Sequence, residues 1–303
     1  MINPAPMRSG DLILVISPSY SPEVSDLEAG IQTLIRQGYQ VERGPNLEKT
    51  WGRFAGTDQE RLEDLQWAMN HSNARMILCS RGGYGLSRIS EQLSFAKFAQ
   101  NPKWVVGFSD VTFLHCMLQA RGFATIHGPM AIHYGQLAQI PACLAQNGFL
   151  AGRLPIRYEL QAEFPFDLTI NGQISGGNLS LLAHYDCRLP EGFFKDKLVF
   201  IEETGEAYHK IDRMLSQLFK SGVFSGVKAF LLGQFTDCLD YGFPISLAEM
   251  IREKAGDSIP IFSRIPAGHG KPSFPLVLGM ATEIKREGKQ WWLKQEELKV
   301  PIF

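Results

Sequence analysis

The feature that most constrains the fold is a recurring alternation. Short, unbroken apolar runs are separated by helix-length amphipathic segments. The runs are "LILVIS" (12–17), "RMILCS" (75–80), "KWVVGF" (103–108) and "FATIHG" (123–128). A strand that is apolar on both faces must be covered on both faces, as inside a parallel sheet. The intervening segments supply the cover. Val24, Leu27, Ile31, Leu34 and Ile35 recur at helical spacing, and Gly38 follows as a stop. "TDQE" (57–60) has the pattern of a capping box, with Leu62, Leu65 and Met69 on one face behind it. Further helices are predicted over 87–100 and over 110–122. Repeated β-α-β units of this kind predict an α/β fold with a parallel sheet and right-handed crossovers. Ligand sites in such sheets form at the carboxyl ends of strands, where "RGGYG" (81–85) and "GFSD" (107–110) both fall.

The alternation fades between about 135 and 167, where Pro141, Pro155 and Pro165 interrupt scattered polar residues. The expected organisation is an N-terminal α/β domain over 1–150, a linker over 151–168 and a second domain over 169–303. That second half is richer in strands: "KLVFIEE" (197–203), "VKAFLLG" (227–233), "PLVLGM" (275–280) and "KQWWLK" (289–294), the last entered through a turn at Glu287 and Gly288. An amphipathic helix is predicted over 208–222.

Composition excludes several classes of function. The 303 residues are 45% hydrophobic and 20% charged, with a formal net charge of −1 and no long basic run. Nucleic acid and anionic membrane both demand clustered Lys and Arg, so neither is expected as a partner. Five cysteines (Cys79, Cys116, Cys143, Cys187, Cys238) stand far apart without a CxxC pair, which speaks for a reducing compartment and against a disulfide framework or zinc site. The first apolar run is too short for a signal peptide, and no stretch approaches the ~20 apolar residues of a membrane span. A cytoplasmic protein is expected. HExxH, Walker and GxGxxG spacings are absent, so neither a metal nor a cofactor is expected.

Several residues could carry chemistry, each with a plainer alternative. Ser109, between a strand and a helix, is either a helix cap or a nucleophile. Asp110 could cap the helix in its place, and Gly107 would permit the tight backbone of a nucleophile elbow, although Val111 stands where G-x-S-x-G has its second glycine. The "RGGYG" glycines make a tight turn, a phosphate loop or an oxyanion hole built from the Gly83 and Asp110 N–H groups. His269, between two glycines in "AGHG", is a solvated loop residue or a base held over a cleft. Glu202 and Glu203 close an apolar strand, where they are solvated or paired with a histidine.

Taken together, "RGGYG", "GFSD", "GGNLS" (176–180), "FIEETGEAYHKIDRMLSQL" (200–218) and "AGHG" (267–270) give the chain a specific likeness. In order and spacing it resembles the LD-carboxypeptidases, the serine peptidase group that includes muramoyltetrapeptide carboxypeptidases and microcin C immunity proteins. The likeness runs over nearly the whole chain. It implies a Rossmann-like N-terminal domain, a smaller β-rich α+β C-terminal domain and a homodimer. It also implies Ser109 as nucleophile, Glu202 rather than Glu203 as the acidic member, and His269 as base. Arg81 or Asn178 is expected to receive the terminal carboxylate of the substrate. The reaction implied is release of D-alanine from murein tetrapeptide during wall recycling. The alternatives are cleavage of peptidyl or aminoacyl sulfamoyl adenylates, for which Trp104 or Tyr84 would have to stack a base, and a non-catalytic ligand-binding module.

Overall fold

The apolar runs form the parallel sheet they predict. The computed structural model describes residues 1–185 and 188–298, so Cys187 lies outside the described residues. In chain order the first half comprises β1 (Leu12–Ile16), α1 (Val24–Arg36), β2 (Gln40–Arg43), α2 (Asp58–Asn70), β3 (Ala74–Cys79), α3 (Leu86–Ile89), α4 (Ala96–Gln100), β4 (Trp104–Gly107), α5 (Thr112–Ala120), β5 (Thr125–His127) and α6 (Ile140–Leu150). The strands lie side by side in the order β2-β1-β3-β4-β5, all parallel. That order reverses direction between β1 and β3, which places a binding crevice at their carboxyl ends. The predicted capping box starts α2: Thr57 accepts from the Glu60 N–H, and the Glu60 carboxylate accepts from the Thr57 N–H at 2.8 Å.

The second half contains β6 (Ile156–Ala162), β7 (Ile170–Asn178), α7 (Leu179–Tyr185), β8 (Leu198–Thr204), α8 (Tyr208–Lys220), β9 (Ala229–Thr236), α9 (Leu247–Ala255), β10 (Ile261–Ser263), β11 (Leu276–Leu278), β12 (Ala281–Glu287) and β13 (Gln290–Gln295). Seven of these strands close into a barrel, β10-β6-β13-β12-β7-β8-β9, completed where β10 pairs with β9. Closure removes the exposed edges that an open sheet would leave.

Three expectations are corrected. The stretch expected as a linker over 151–168 contains β6, a barrel strand paired with β13 and β10. Its prolines stand outside the strand, at 155 and 165, and its polar residues face away from the barrel core. "PLVLGM" does not join the other C-terminal strands. As β11 it crosses back and extends the first sheet, antiparallel to β5. The helix predicted over 87–100 is broken into α3, a 3₁₀ turn and α4. Gln66 on α2 causes the break, because it donates to the Ser94 carbonyl at 3.0 Å and accepts from the Ser94 N–H at 2.7 Å. A backbone already satisfied by a side chain has no need of the helical bond.

The halves are packed as one body. Each of the two buried apolar clusters draws on both: one unites Leu14, Phe113 and Leu114 with Leu179, Val199 and Phe230, and the other unites Ile13 and Val106 with Ile174, Phe200 and Phe262. The seam runs along α5 and β7. Gln119 donates to the Ile174 carbonyl at 3.0 Å and accepts from Ser175 at 2.6 Å, and Thr112 accepts from the Asn178 N–H at 3.1 Å. Gly177, at a φ of +147°, allows this approach, since a Cβ there would lie 2.6 Å from the Thr112 hydroxyl oxygen. Among the described residues no helix is long and apolar enough to cross a membrane.

Gly30, in the middle of α1, tests the packing against local preference. Propensity alone favours alanine there by about 1 kcal/mol. A Cβ at Gly30 would, however, lie 1.9 Å from the Ala131 carbonyl oxygen, a backbone atom that cannot turn aside. Gly30→Ala is expected to destabilise the protein by about 2 kcal/mol, read as a lower midpoint in urea unfolding.

Candidate active site

Ser109 is placed by a strained turn at the carboxyl end of β4. Its φ is +63°, a conformation that costs a residue with a Cβ and that recurs where a side chain must be presented. Two glycines make room. A Cβ at Gly107 would lie 2.8 Å from the Val111 side chain, and one at Gly82 would lie 2.8 Å from the Ser109 Cβ. The elbow therefore depends on "RGGYG" as well as on "GFSD".

Asp110 does not cap its own helix, contrary to expectation. Its buried carboxylate instead accepts from Ser19 at 2.6 Å and from the Leu86 N–H at 2.8 Å. It thus ties together the loops that follow β1, β3 and β4. Burial raises its pKa, against the lowering effect of these bonds and of the Arg61 charge. The N–H groups of Gly82 and Gly83 donate to no other group among the described residues.

Glu202 and Glu203 divide into two tasks because successive strand residues point to opposite faces. Both are buried. Glu202 faces the loop after β10, where its Oε2 lies 2.7 Å from His269 Nδ1. Its Oε1 has no hydrogen-bond partner among the described residues. Glu203 faces α7 and accepts from Asn178 Nδ2, the Ser180 N–H and the Ser180 hydroxyl at 3.0, 2.8 and 2.6 Å. It closes the start of that helix and makes no hydrogen bond to His269, which it reaches only through its charge.

His269 is held rather than solvated, with 20% of its side chain exposed against 0% for Glu202. Gln234, at the end of β9, accepts from the Gly270 N–H at 2.8 Å and donates to the Pro272 carbonyl at 3.2 Å. Ser273 donates to the Gly268 carbonyl at 2.6 Å. Both flanking glycines are required, since a Cβ at Gly270 would strike the Gln234 amide at 2.6 Å and one at Gly268 would press on Gln234 at 3.0 Å. The Phe108 ring meets the imidazole edge-on, 5.1 Å between centroids, and stacks on His133 at 5.4 Å. Burial alone would lower the His269 pKa. The Glu202 hydrogen bond and the charges of Glu202 and Glu203 overcome it and hold the pKa above the ordinary histidine value. The buried Glu202 is itself raised, by desolvation against the pull of His269. With Nδ1–H directed at Glu202, the neutral ring has Nε2 as its basic nitrogen.

Ser109, His269, Arg81, Gly82, Gly83, Phe108, Met130, Ile132 and His133 line one cavity of about 240 Å³. Ser109 and His269 share that wall without a direct hydrogen bond, and catalytic contacts often tighten only with substrate present. A larger cavity of about 570 Å³ lies on the barrel and is lined by Lys195, Lys197 and Glu283, but it brings together no nucleophile and base. Asn178, expected as a carboxylate receiver, is not at the cavity. Its amide is spent inside, donating to Glu203 and accepting from the Leu181 N–H at 3.2 Å. Two buried histidines near the cavity, His115 and His133, are neutral and structural. His115 bonds the Gly107 carbonyl at 2.8 Å, and burial pushes its pKa down to about 4. His133 accepts from the Met130 N–H, and burial likewise pushes its pKa to about 4. Phe108 and Tyr20 were not singled out from the sequence. The only sign of them was position, at the carboxyl ends of β4 and β1. Among the described residues no three His, Cys, Asp or Glu side chains converge to hold a metal.

Comparison with known proteins places this geometry. Residues 13–128 match the LD-carboxypeptidase N-terminal domain and residues 171–284 the LD-carboxypeptidase C-terminal domain. A putative carboxypeptidase of Synechocystis sp. is 34% identical over 289 residues, covering 93% of this chain and 94% of its own. The murein tetrapeptide carboxypeptidase of Pseudomonas aeruginosa is 28% identical, covering 92% and 94%. Among solved structures, muramoyltetrapeptide carboxypeptidase from Oxalobacter formigenes superposes with a TM-score of 0.80 at 27% identity, covering 94% of this chain and 99% of that one. The microcin C7 self-immunity protein superposes at 0.87 with 22% identity, covering 99% and 100%, a likeness of fold.

The His269–Glu202 bond has a direct spectroscopic consequence. The His269 ring is expected to titrate above the ordinary histidine pKa of about 6.5, and Glu202→Gln is expected to lower that pKa. Glu203→Gln should leave it nearer the native value while weakening the α7 cap. Ring-proton NMR titration of the three proteins measures this, and equal shifts in both variants would contradict the division of labour.

Proposed function

The chain belongs to the LD-carboxypeptidase family, and on that footing we propose that it is a serine carboxypeptidase releasing D-alanine from murein tetrapeptide. The observation that carries this is that a strained Ser109 and a Glu202-paired His269 line one cavity together with Gly82 and Gly83. Ser109 Oγ attacks the carbonyl of the amide joining an L-centre to the terminal D-residue. Its proton passes to His269 Nε2, and Glu202 holds the ring and stabilises the imidazolium. The N–H groups of Gly83 and Asp110 receive the oxyanion, each lowering the barrier by about 3 kcal/mol. His269 then protonates the leaving amine, and water releases the acyl group from Ser109 by the same route. Arg81, on the cavity wall, receives the terminal carboxylate. The cytoplasmic location and the homodimer expected from the sequence remain parts of this proposal.

A second reading, cleavage of aminoacyl sulfamoyl adenylates, requires an aromatic placed to stack a base. Trp104 is fully buried with its indole N–H on the Ala5 carbonyl at 3.0 Å, and Tyr84 is not part of the cavity lining. The murein peptide is therefore favoured. The buried Glu202–His269 pair, costly without a use, speaks against a non-catalytic module.

Ser109→Ala is expected to abolish D-alanine release from murein tetrapeptide while leaving the thermal midpoint near that of the native protein. Undiminished turnover would falsify the nucleophile assignment. Activity should survive chelator, and an aminoacyl sulfamoyl adenylate assayed alongside should be cleaved far more slowly. The base must be neutral to accept a proton, so kcat/KM should fall as pH drops through the raised His269 pKa and level off above it.

A further inference from the structure

Beside the cavity, two guanidinium groups gather on one aromatic ring. Tyr20, in the loop after β1, has the Arg53 guanidinium carbon 4.7 Å from its ring centre and that of Arg81 5.9 Å away. The ring is pressed against the cavity wall, because a Cβ at Gly83 would lie 2.4 Å from Tyr20 Cδ2. Ser21 fixes the arrangement from behind. Its N–H donates to the Arg53 carbonyl at 3.0 Å, its hydroxyl donates to the Phe54 carbonyl at 2.7 Å, and its own carbonyl accepts from Arg81 at 3.2 Å.

These two arginines differ from their neighbours. Arg61 and Arg88, a few residues away, are both paired with Asp58. Arg53 and Arg81 pair with no carboxylate among the described residues. Each rests on the Tyr20 face, which orders the guanidinium, and Arg81 spends one donor on the Ser21 carbonyl while the rest stay available. Arg81 lines the cavity, and Arg53 shares the Tyr20 ring with it; two uncompensated cations so close together suit a ligand with more than one negative charge. One terminal carboxylate accounts for Arg81 alone.

We propose that Arg53 is a second carboxylate-binding residue of this cleft, so that the site selects peptides bearing an internal carboxylate in addition to the terminal one. This rests on the peptidase reading above and narrows its substrate class. Arg53 is exposed on the turn between Trp51 and Phe54, where replacement leaves the buried core untouched.

Equilibrium binding to the Ser109→Ala protein tests this whether or not the peptide is cleaved. The probes are murein tetrapeptide and its analogue with every carboxylate except the terminal one converted to carboxamide. The native Arg53 site is expected to prefer the acidic peptide. Arg53→Gln should raise the Kd of the acidic peptide about tenfold and erase most of the preference, and Arg53→Lys should restore part of it. An unchanged preference in Arg53→Gln, or equal weakening of both peptides, overturns the proposal. D-alanine release by the native protein is scored separately, so failure of the peptidase reading shows there and not in the binding ratio.

Discussion

The close approach of α5 to β7 is the constraint on which the remaining geometry depends. Ser109 begins the turn into α5, and Glu202 sits on β8, the neighbour of β7. Gly177 lets the two elements touch, and Thr112, Ser175 and Gln119 bond across the contact. Buried polar groups must find partners, so these bonds fix the register of one half against the other. A glycine replaced here would push the barrel away from the sheet and carry Glu202 and His269 with it. The glycines of "GGNLS" therefore govern the cavity although none of them lines it.

Within the cavity, electrostatics is set by burial and by orientation. Three imidazoles, those of His127, His133 and His269, surround Phe108. Burial keeps His127 and His133 neutral, while His269 alone faces a carboxylate and is raised instead. The same side chain is thus held neutral or made more basic according to its neighbour. Adjacent Glu202 and Glu203 show the same principle through strand alternation: one polarises the imidazole, and the other satisfies the first turn of a helix.

Much of the first half was legible in the sequence because its signals are local. The apolar strands, the capping box of α2 and the amphipathic α8 follow from residue spacing over one or two turns. The second half was less legible. β6 carries polar residues between its core positions and is flanked by prolines, so it resembled a linker until barrel closure gave it partners. The helix predicted over 87–100 failed through Gln66, whose side chain reaches across from another element. Ser109, Glu202 and His269 were carried by the family likeness. Asn178, offered with Arg81 as a carboxylate receiver apart from that likeness, turns inward, because a polar residue type does not reveal which way its amide points.

The sequence by itself determined the elements, the turn glycines and the residue types available for chemistry, since each depends on backbone preference and on neighbours a few positions away. Tertiary structure decided which of those residues meet. The sharing of one cavity wall by residues 109 and 269, the choice between positions 202 and 203, the crossing of β11 into the first sheet and the two cations on Tyr20 all depend on contacts between segments remote in the chain. Such contacts are selected by packing and by the cost of leaving buried polar groups unpaired, and neither quantity is defined until the chain has closed on itself.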